Sequence, residues 1–146
     1  MTEEEISAFL AEHHTAQVAT ISPDGMPHLV AMWYGLFGGE IVMWTYAKSQ
    51  KALNLRRSPN IAVLVESGER YDELRGVSIT GTAELSDDRA YVQRVGEAVL
   101  FRSRHGEAPD PFGQEILKQA GSKRVALTIK PAKVTSWDHR KLGGLY

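Results

Sequence analysis

Near the start of the chain, Ile6, Phe9 and Leu10 recur at helical spacing and give one apolar stripe. Thr2 stands three residues before Glu5, the spacing of a capping box, in which each side chain accepts from the other residue's backbone N–H. A capped helix therefore opens the chain. His13 and His14 fall near its end as surface residues, since adjacent side chains do not face each other on a helix. The pattern then changes to β type. Gln17 to Ile21 is closed by Ser22-Pro23-Asp24-Gly25, a turn in which proline presets φ and glycine tolerates a positive value. Pro27 to Tyr34 is a second strand, Gly38-Gly39 reverses the chain, and Glu40 to Tyr46 is a third. With such short connections, these three strands are expected to form an antiparallel meander.

From Lys48 to Arg57 the period returns to helical, with Ala52, Leu53 and Leu55 among basic and amide residues, and Ser58-Pro59-Asn60 stops the helix. Ile61 to Glu66 is a compact strand, residues 67–75 a polar loop, and Val77 to Ala83 another strand. Ser86 is expected to cap a helix running to about Arg104, with Asp87 and Asp88 in its first turn. Pro109 and Pro111 break the chain before a short helix over Gln114 to Gln119. Lys123 to Trp137 closes it as a long strand, with Pro131 marking an edge or a bulge. Many strands with short helices between them predict a mainly β (α+β) protein, an antiparallel barrel with flanking helices, as one domain over residues 1–146.

Composition narrows the function without choosing it. The chain has 146 residues, 42% hydrophobic and 24% charged, with a net charge of -1, so no broad basic field recruits nucleic acid or a membrane surface. Cysteine is absent, which excludes disulfides and thiolate chemistry. The acidic opening Met1 to Glu5 is unlike a signal peptide, and a cytoplasmic address is expected. No residue cluster calls for a metal, and no nucleophile–base set is visible, so the catalytic residues are left unassigned; His28 and Tyr71 are possible proton donors.

The one local concentration of chemistry is Trp44 to Pro59, where a strand leads into a helix whose start carries Lys48, Ser49 and Lys51. A helix N-terminus offers unpaired N–H groups and partial positive charge, and a hydroxyl with ammonium groups beside it suits a phosphate. Two readings of Lys48, Lys51, Arg56 and Arg57 stay open on these grounds: a phosphate site, or the solvated face of a surface helix.

Thr45, Ser49, Lys51, Leu55 and Pro59 resemble the signature of the pyridoxamine 5'-phosphate oxidase-like split-barrel family, in which a strand threonine precedes a Ser-x-Lys pair and a later Leu-x-x-x-Pro. Gln17 to Thr20, Pro23 to His28 and Gly76 to Glu84 fit the wider frame, and the likeness runs from about Ile6 to Trp137. The resemblance implies a split β-barrel homodimer with a flavin-type cofactor in a cleft between protomers. Ser49 and Lys51, with Gln50 between them, are then expected to hold the cofactor phosphate, and Trp44 and Thr45 to line its ring or ribityl chain. Met32 and Trp33 belong to the strand beside the ring edge, and Lys48 and Arg56 are candidates for the same anion or a longer acidic tail. Trp137 and the following His139 to Lys141 either reach the partner's cofactor or fray as a basic tail. Trp33, Trp44 and Tyr46 also suit a core or a dimer interface, and Asn54 suits a helix surface or cap.

Two departures argue against the oxidase itself: Asp138-His139-Arg140 does not reproduce its C-terminal Arg-x-His, and Gln50 replaces a basic residue. The short chain, the run from Lys51 to Arg56 and the closing Trp-Asp-His are more similar to the deazaflavin-dependent reductase branch. The expectation is an oxidoreductase that uses coenzyme F420 to deliver a hydride to a small conjugated molecule. An FMN oxidase or reductase of the same fold, and a non-catalytic flavin or deazaflavin carrier, are the alternatives.

Overall fold

The computed structural model describes residues 1–101 and 108–143. Helix α1, Glu3–Glu12, begins with the capping box that the sequence announces: the Glu5 N–H donates to the Thr2 hydroxyl at 3.2 Å, and the Thr2 N–H to the Glu5 carboxylate at 2.7 Å. Seven strands follow: β1 Thr15–Ile21, β2 Pro27–Trp33, β3 Gly35–Phe37, β4 Glu40–Tyr46, β5 Asn60–Ser67, β6 Arg75–Ser86 and β7 Arg124–Asp138. Helix α2, Gln50–Arg57, joins β4 to β5, while α3 Arg89–Leu100 and α4 Pro111–Gly121 lie between β6 and β7. No helix among the described residues is long and apolar enough to cross a membrane.

The strands form one antiparallel sheet in the order β2-β1-β5-β6-β7-β4-β3. This corrects the expected meander. β1 and β2 do form a hairpin, but β4 pairs with β3 and β7 and never with β2. The two edge strands, β2 and β3, are consecutive in sequence and separated only by Tyr34. The edges are therefore drawn together and the sheet curls into a split barrel. Tyr34 is fully buried at this join, where its hydroxyl donates to the Leu10 carbonyl at 2.7 Å and its N–H to the His14 carbonyl at 2.9 Å.

Alternation along β4 serves two cores, because successive side chains point to opposite faces. Ile41 and Met43 join Val18, Val63, Val77, Leu127 and Ile129 inside the barrel, whereas Val42 and Trp44 pack outside it against Val92, Val95 and Val99 of α3. Of the edge or bulge that Pro131 marks, the structure has the bulge: pairing of β6 with β7 shifts after Thr80, so that Gly81 faces Pro131 while Thr80 faces Lys133. A Cβ on Gly81 would come within 2.1 Å of the Lys130 carbonyl oxygen, so the bulge requires glycine there.

Several boundaries differ from expectation. Ser86 ends β6 instead of capping α3. Asp88 is the cap, accepting from the Tyr91 N–H at 2.8 Å, and Ser86 accepts from the Asp88 N–H. The expected extension of α3 to Arg104 lies in part outside the described residues. Pro111 starts α4 at its first position, behind the Asp110 cap, because a missing N–H costs nothing there.

Candidate functional site

The end of β4 and the start of α2 build the site. Tyr46 accepts from the Ser49 N–H at 3.0 Å, which closes a tight turn and leaves Ser49 as the N-cap of α2, with extended backbone and its hydroxyl accepting from the Ala52 N–H at 3.3 Å. That hydroxyl also lies 3.2 Å from the hydroxyl of Thr45, itself buried at the end of β4. Gln50 and Lys51 head the helix, where backbone N–H groups have no intrahelical acceptor.

Beside this turn lies a cleft of about 280 Å³. Lys51 and Thr45 form one side of it, and Met32 and Trp33 of β2 another. Trp44 and Tyr46 of β4, Val99 and Leu100 of α3, and Arg124 at the head of β7 complete the lining. Burial pulls the Lys51 ammonium below its ordinary pKa, since removal from water penalises the charged form. Lys51 has no ion pair among the described residues, and no acid among them lines the cleft. A larger apolar hollow of about 430 Å³ lies between α1 and the barrel, but Glu3 and Glu40 line it and no cation does, so it is the wrong place for an anion.

Five of the residues singled out from sequence thus converge: Met32, Trp33, Trp44, Thr45 and Lys51. Ser49 adjoins them through Thr45. The others stand apart. Lys48 is exposed ahead of the cap, and Arg56 is exposed in the last turn of α2, roughly 10 Å along the helix from Ser49. The Gln50 side chain turns along the helix and donates to Asn54 at 2.8 Å. Asn54 is fully buried, not a surface residue, and donates to the equally buried Thr20 hydroxyl at 3.0 Å, fastening α2 to β1.

Trp137 pairs with Gly76 at the far end of β7, where the indole covers the glycine, and does not enter the cleft of its own chain. The residues after it are docked, not frayed. His139 Nδ1 lies 2.8 Å from the Tyr71 carbonyl, Arg140 pairs with Asp138, and Lys141 pairs with Glu5 of α1. Neither possible proton donor lines the cleft: His28 sits on β2 opposite Thr20, and Tyr71 packs on His139.

Sequence reading missed Val99, Leu100 and, above all, Arg124. The Arg124 guanidinium lies 4.8 Å from the centre of the Trp44 ring and 4.2 Å from that of Tyr46, and it donates to the Ala120 carbonyl at the end of α4. Its position follows from register, because Arg124 pairs with Tyr46 and Ala126 with Trp44.

Fold and cleft together define a split-barrel protein with a hydroxyl–lysine helix start beside an aromatic wall. The chain belongs to the pyridoxamine 5'-phosphate oxidase family, whose pattern matches residues 2–138. Over 120 residues it is 30% identical to an F420H(2)-dependent biliverdin reductase of Mycobacterium tuberculosis, covering 81% of this chain and 82% of that protein. The crystal structure of a conserved hypothetical protein, Rv2991, from Mycobacterium tuberculosis superposes with a TM-score of 0.92 at 44% identity, over 100% of this chain and 90% of that one. A solved F420 reductase shares the fold at 21% identity, with a TM-score of 0.63 over 88% of this chain and 94% of its own.

Proposed function

We propose that the chain is an oxidoreductase that binds coenzyme F420 in the cleft beside α2 and reduces a small conjugated molecule there. The observation that carries this reading is the donor set: Lys51, half-buried with its pKa lowered and without an ion-pair partner among the described residues, next to the Ser49 and Thr45 hydroxyls at a helix start. Those groups fit the phosphate of a flavin or deazaflavin. The aromatic wall of Trp33, Trp44 and Tyr46 fits a planar ring. The likeness to an F420H(2)-dependent reductase favours the deazaflavin.

When bound, the cofactor supplies the hydride chemistry, and the protein supplies orientation and a dry surface. Lys51 and Ser49 fix one end of the ligand. Trp44, held by α3, and the Met32–Trp33 end of β2 border the other. A second copy of the chain as partner fits the outward face of β2, where Pro27, Leu29, Ala31 and Trp33 are all apolar and exposed, Leu29 by 67% and Trp33 by 55%. Such a copy, seated on Trp33, would shield the cleft mouth from water.

Titration of the purified protein with F420 and with FMN, followed by fluorescence quenching, tests the reading. F420 is expected to bind more tightly, and Lys51→Ala to weaken it about tenfold or more, as loss of a charge-assisted contact worth roughly 1.5–3 kcal/mol requires. Unchanged affinity in Lys51→Ala refutes the site, and failure of both cofactors to bind refutes the function. Leu29→Lys is expected to convert a dimer to a monomer by light scattering; a wild-type monomer removes the second copy from the account.

A further inference from the structure

The cleft has two cations, and the phosphate reading uses only one. Arg124 lines the same cleft as Lys51, and its surroundings restrain the guanidinium. Trp44 and Tyr46 stack against it at 4.8 and 4.2 Å, and the Ala120 carbonyl takes one of its N–H groups. Arg89 steadies the segment from behind, donating to the carbonyls of Gly121 at 2.8 Å, Ser122 at 3.3 Å and Arg124 at 2.9 Å. A guanidinium has five N–H donors. One is spent on Ala120, and among the described residues no carboxylate meets the others. Held over two aromatic rings and partly shielded from water, with donors left over, this group is prepared for a planar oxyanion, which it can hold bidentately.

We propose that Arg124 binds a second anionic group of the ligand, a carboxylate or phosphate distinct from the phosphate at Ser49 and Lys51, and so restricts the cleft to aromatic ligands that carry an acid at that end. The assignment rests on the reading of the cleft as a ligand site. It goes beyond it by giving the ligand a second charge and a position for that charge, against the Trp44–Tyr46 wall. The acid belongs either to the cofactor or to the substrate. A staple for the C-terminal end of α4 would need only the Ala120 contact and would leave ligand binding alone.

Arg124→Gln separates these outcomes. It is compared with wild type for affinity towards F420, which carries carboxylates, towards FMN, which has only its phosphate, and for the preference for 2-naphthoate over 2-naphthylmethanol read by tryptophan quenching. A loss of about tenfold or more for F420 with FMN little changed supports the proposal and places the acid on the cofactor. Unchanged cofactor affinities with loss of the naphthoate preference support it and place the acid on the substrate. Equal losses for FMN and F420 that vanish in a Lys51→Ala background put Arg124 on the first phosphate and overturn the proposal, as do wild-type values in all three measurements. The naphthoate comparison needs no cofactor, so it reports on Arg124 even where both cofactors fail to bind. Should Arg124→Gln lose its native near-ultraviolet circular dichroism, Arg124→Lys is read in its place. That variant keeps the charge and loses the fork, and it is expected to retain part of the naphthoate preference; full retention of every wild-type affinity by it overturns the bidentate contact.

Discussion

Substitution of Gly96 by alanine reports whether α3 holds the cleft wall in place, because two opposed effects fix its sign. Gly96 lies inside α3, and a Cβ built there comes within 2.4 Å of Trp44 Cζ3 and 2.7 Å of Cε3 and Cη2. Real contacts of that kind are not this short, so the indole or the helix has to move. Overpacking of a close-packed site costs about 1–3 kcal/mol. Against this, alanine is a better helix former than glycine by about 0.5–1 kcal/mol. The net expectation is a loss of up to about 2.5 kcal/mol, or a Tm lower by up to about 10 °C for a chain of this size. In a Trp44→Leu background the clash is gone and the propensity term alone remains, so Gly96→Ala should raise Tm. Four proteins followed by thermal denaturation close the cycle, and the coupling between the two sites is the quantity of interest. A higher Tm for Gly96→Ala in the wild-type background refutes the packing argument. Since Trp44 also backs Arg124, the single variant should weaken ligand binding as well, without touching Lys51 or Ser49.

The other predictions concern polar groups. Asn54→Leu leaves the buried Thr20 hydroxyl without its partner and should cost about 1–3 kcal/mol in thermal or urea unfolding, while adding Thr20→Val should recover most of the loss. Burial holds the Lys51 pKa below its ordinary value of 10.5, so the unfolded chain binds that proton more tightly. Stability of the ligand-free protein should therefore rise with pH between the folded pKa and about 10.5. At neutral pH Lys51→Met should raise Tm in the absence of ligand and weaken F420 binding, and a lower ligand-free Tm contradicts the burial cost. The Arg140 guanidinium holds the Asp138 carboxyl down at about 2, against an ordinary 3.8. A depressed carboxyl stabilises the fold above its unfolded pKa and loses that contribution as pH falls through the folded one. Acid unfolding of wild type should thus steepen between about pH 4 and 2, and Asp138→Asn should flatten that window.

Local chemistry made most of the elements legible and long-range pairing made the rest illegible. Thr2 and Glu5, Asp24-Gly25 and Pro131 each act within a few residues, so a capping box, a turn and an edge or bulge could be read from them, whereas the helix expected from Lys48 begins only after its Ser49 cap. The order of the strands could not. The β2-to-β4 segment reads as a meander because its connections are short, yet Tyr34 carries the chain from one edge of the sheet to the other. The partner that β4 takes instead begins at Arg124, nearly eighty residues downstream. Asn54 was misplaced for the same reason: nothing in a basic helix says that one amide meets a hydroxyl on β1. The candidate site divides along this line. Lys51 and Ser49 stood out because a helix start is a local object and because the family resemblance singled out their spacing. Arg124 did not, because it is an ordinary arginine at a strand start until the Tyr46–Arg124 register sets it on two aromatic rings. That register also makes the second cation harder to lose than the first. Lys51 depends on one turn of helix, whereas Arg124 is fixed by the β4–β7 ladder on one side and by Arg89 and the end of α4 on the other. On the proposed reading of the cleft, a change that loosens the start of α2 should therefore release the phosphate end of the ligand while the aromatic end stays held.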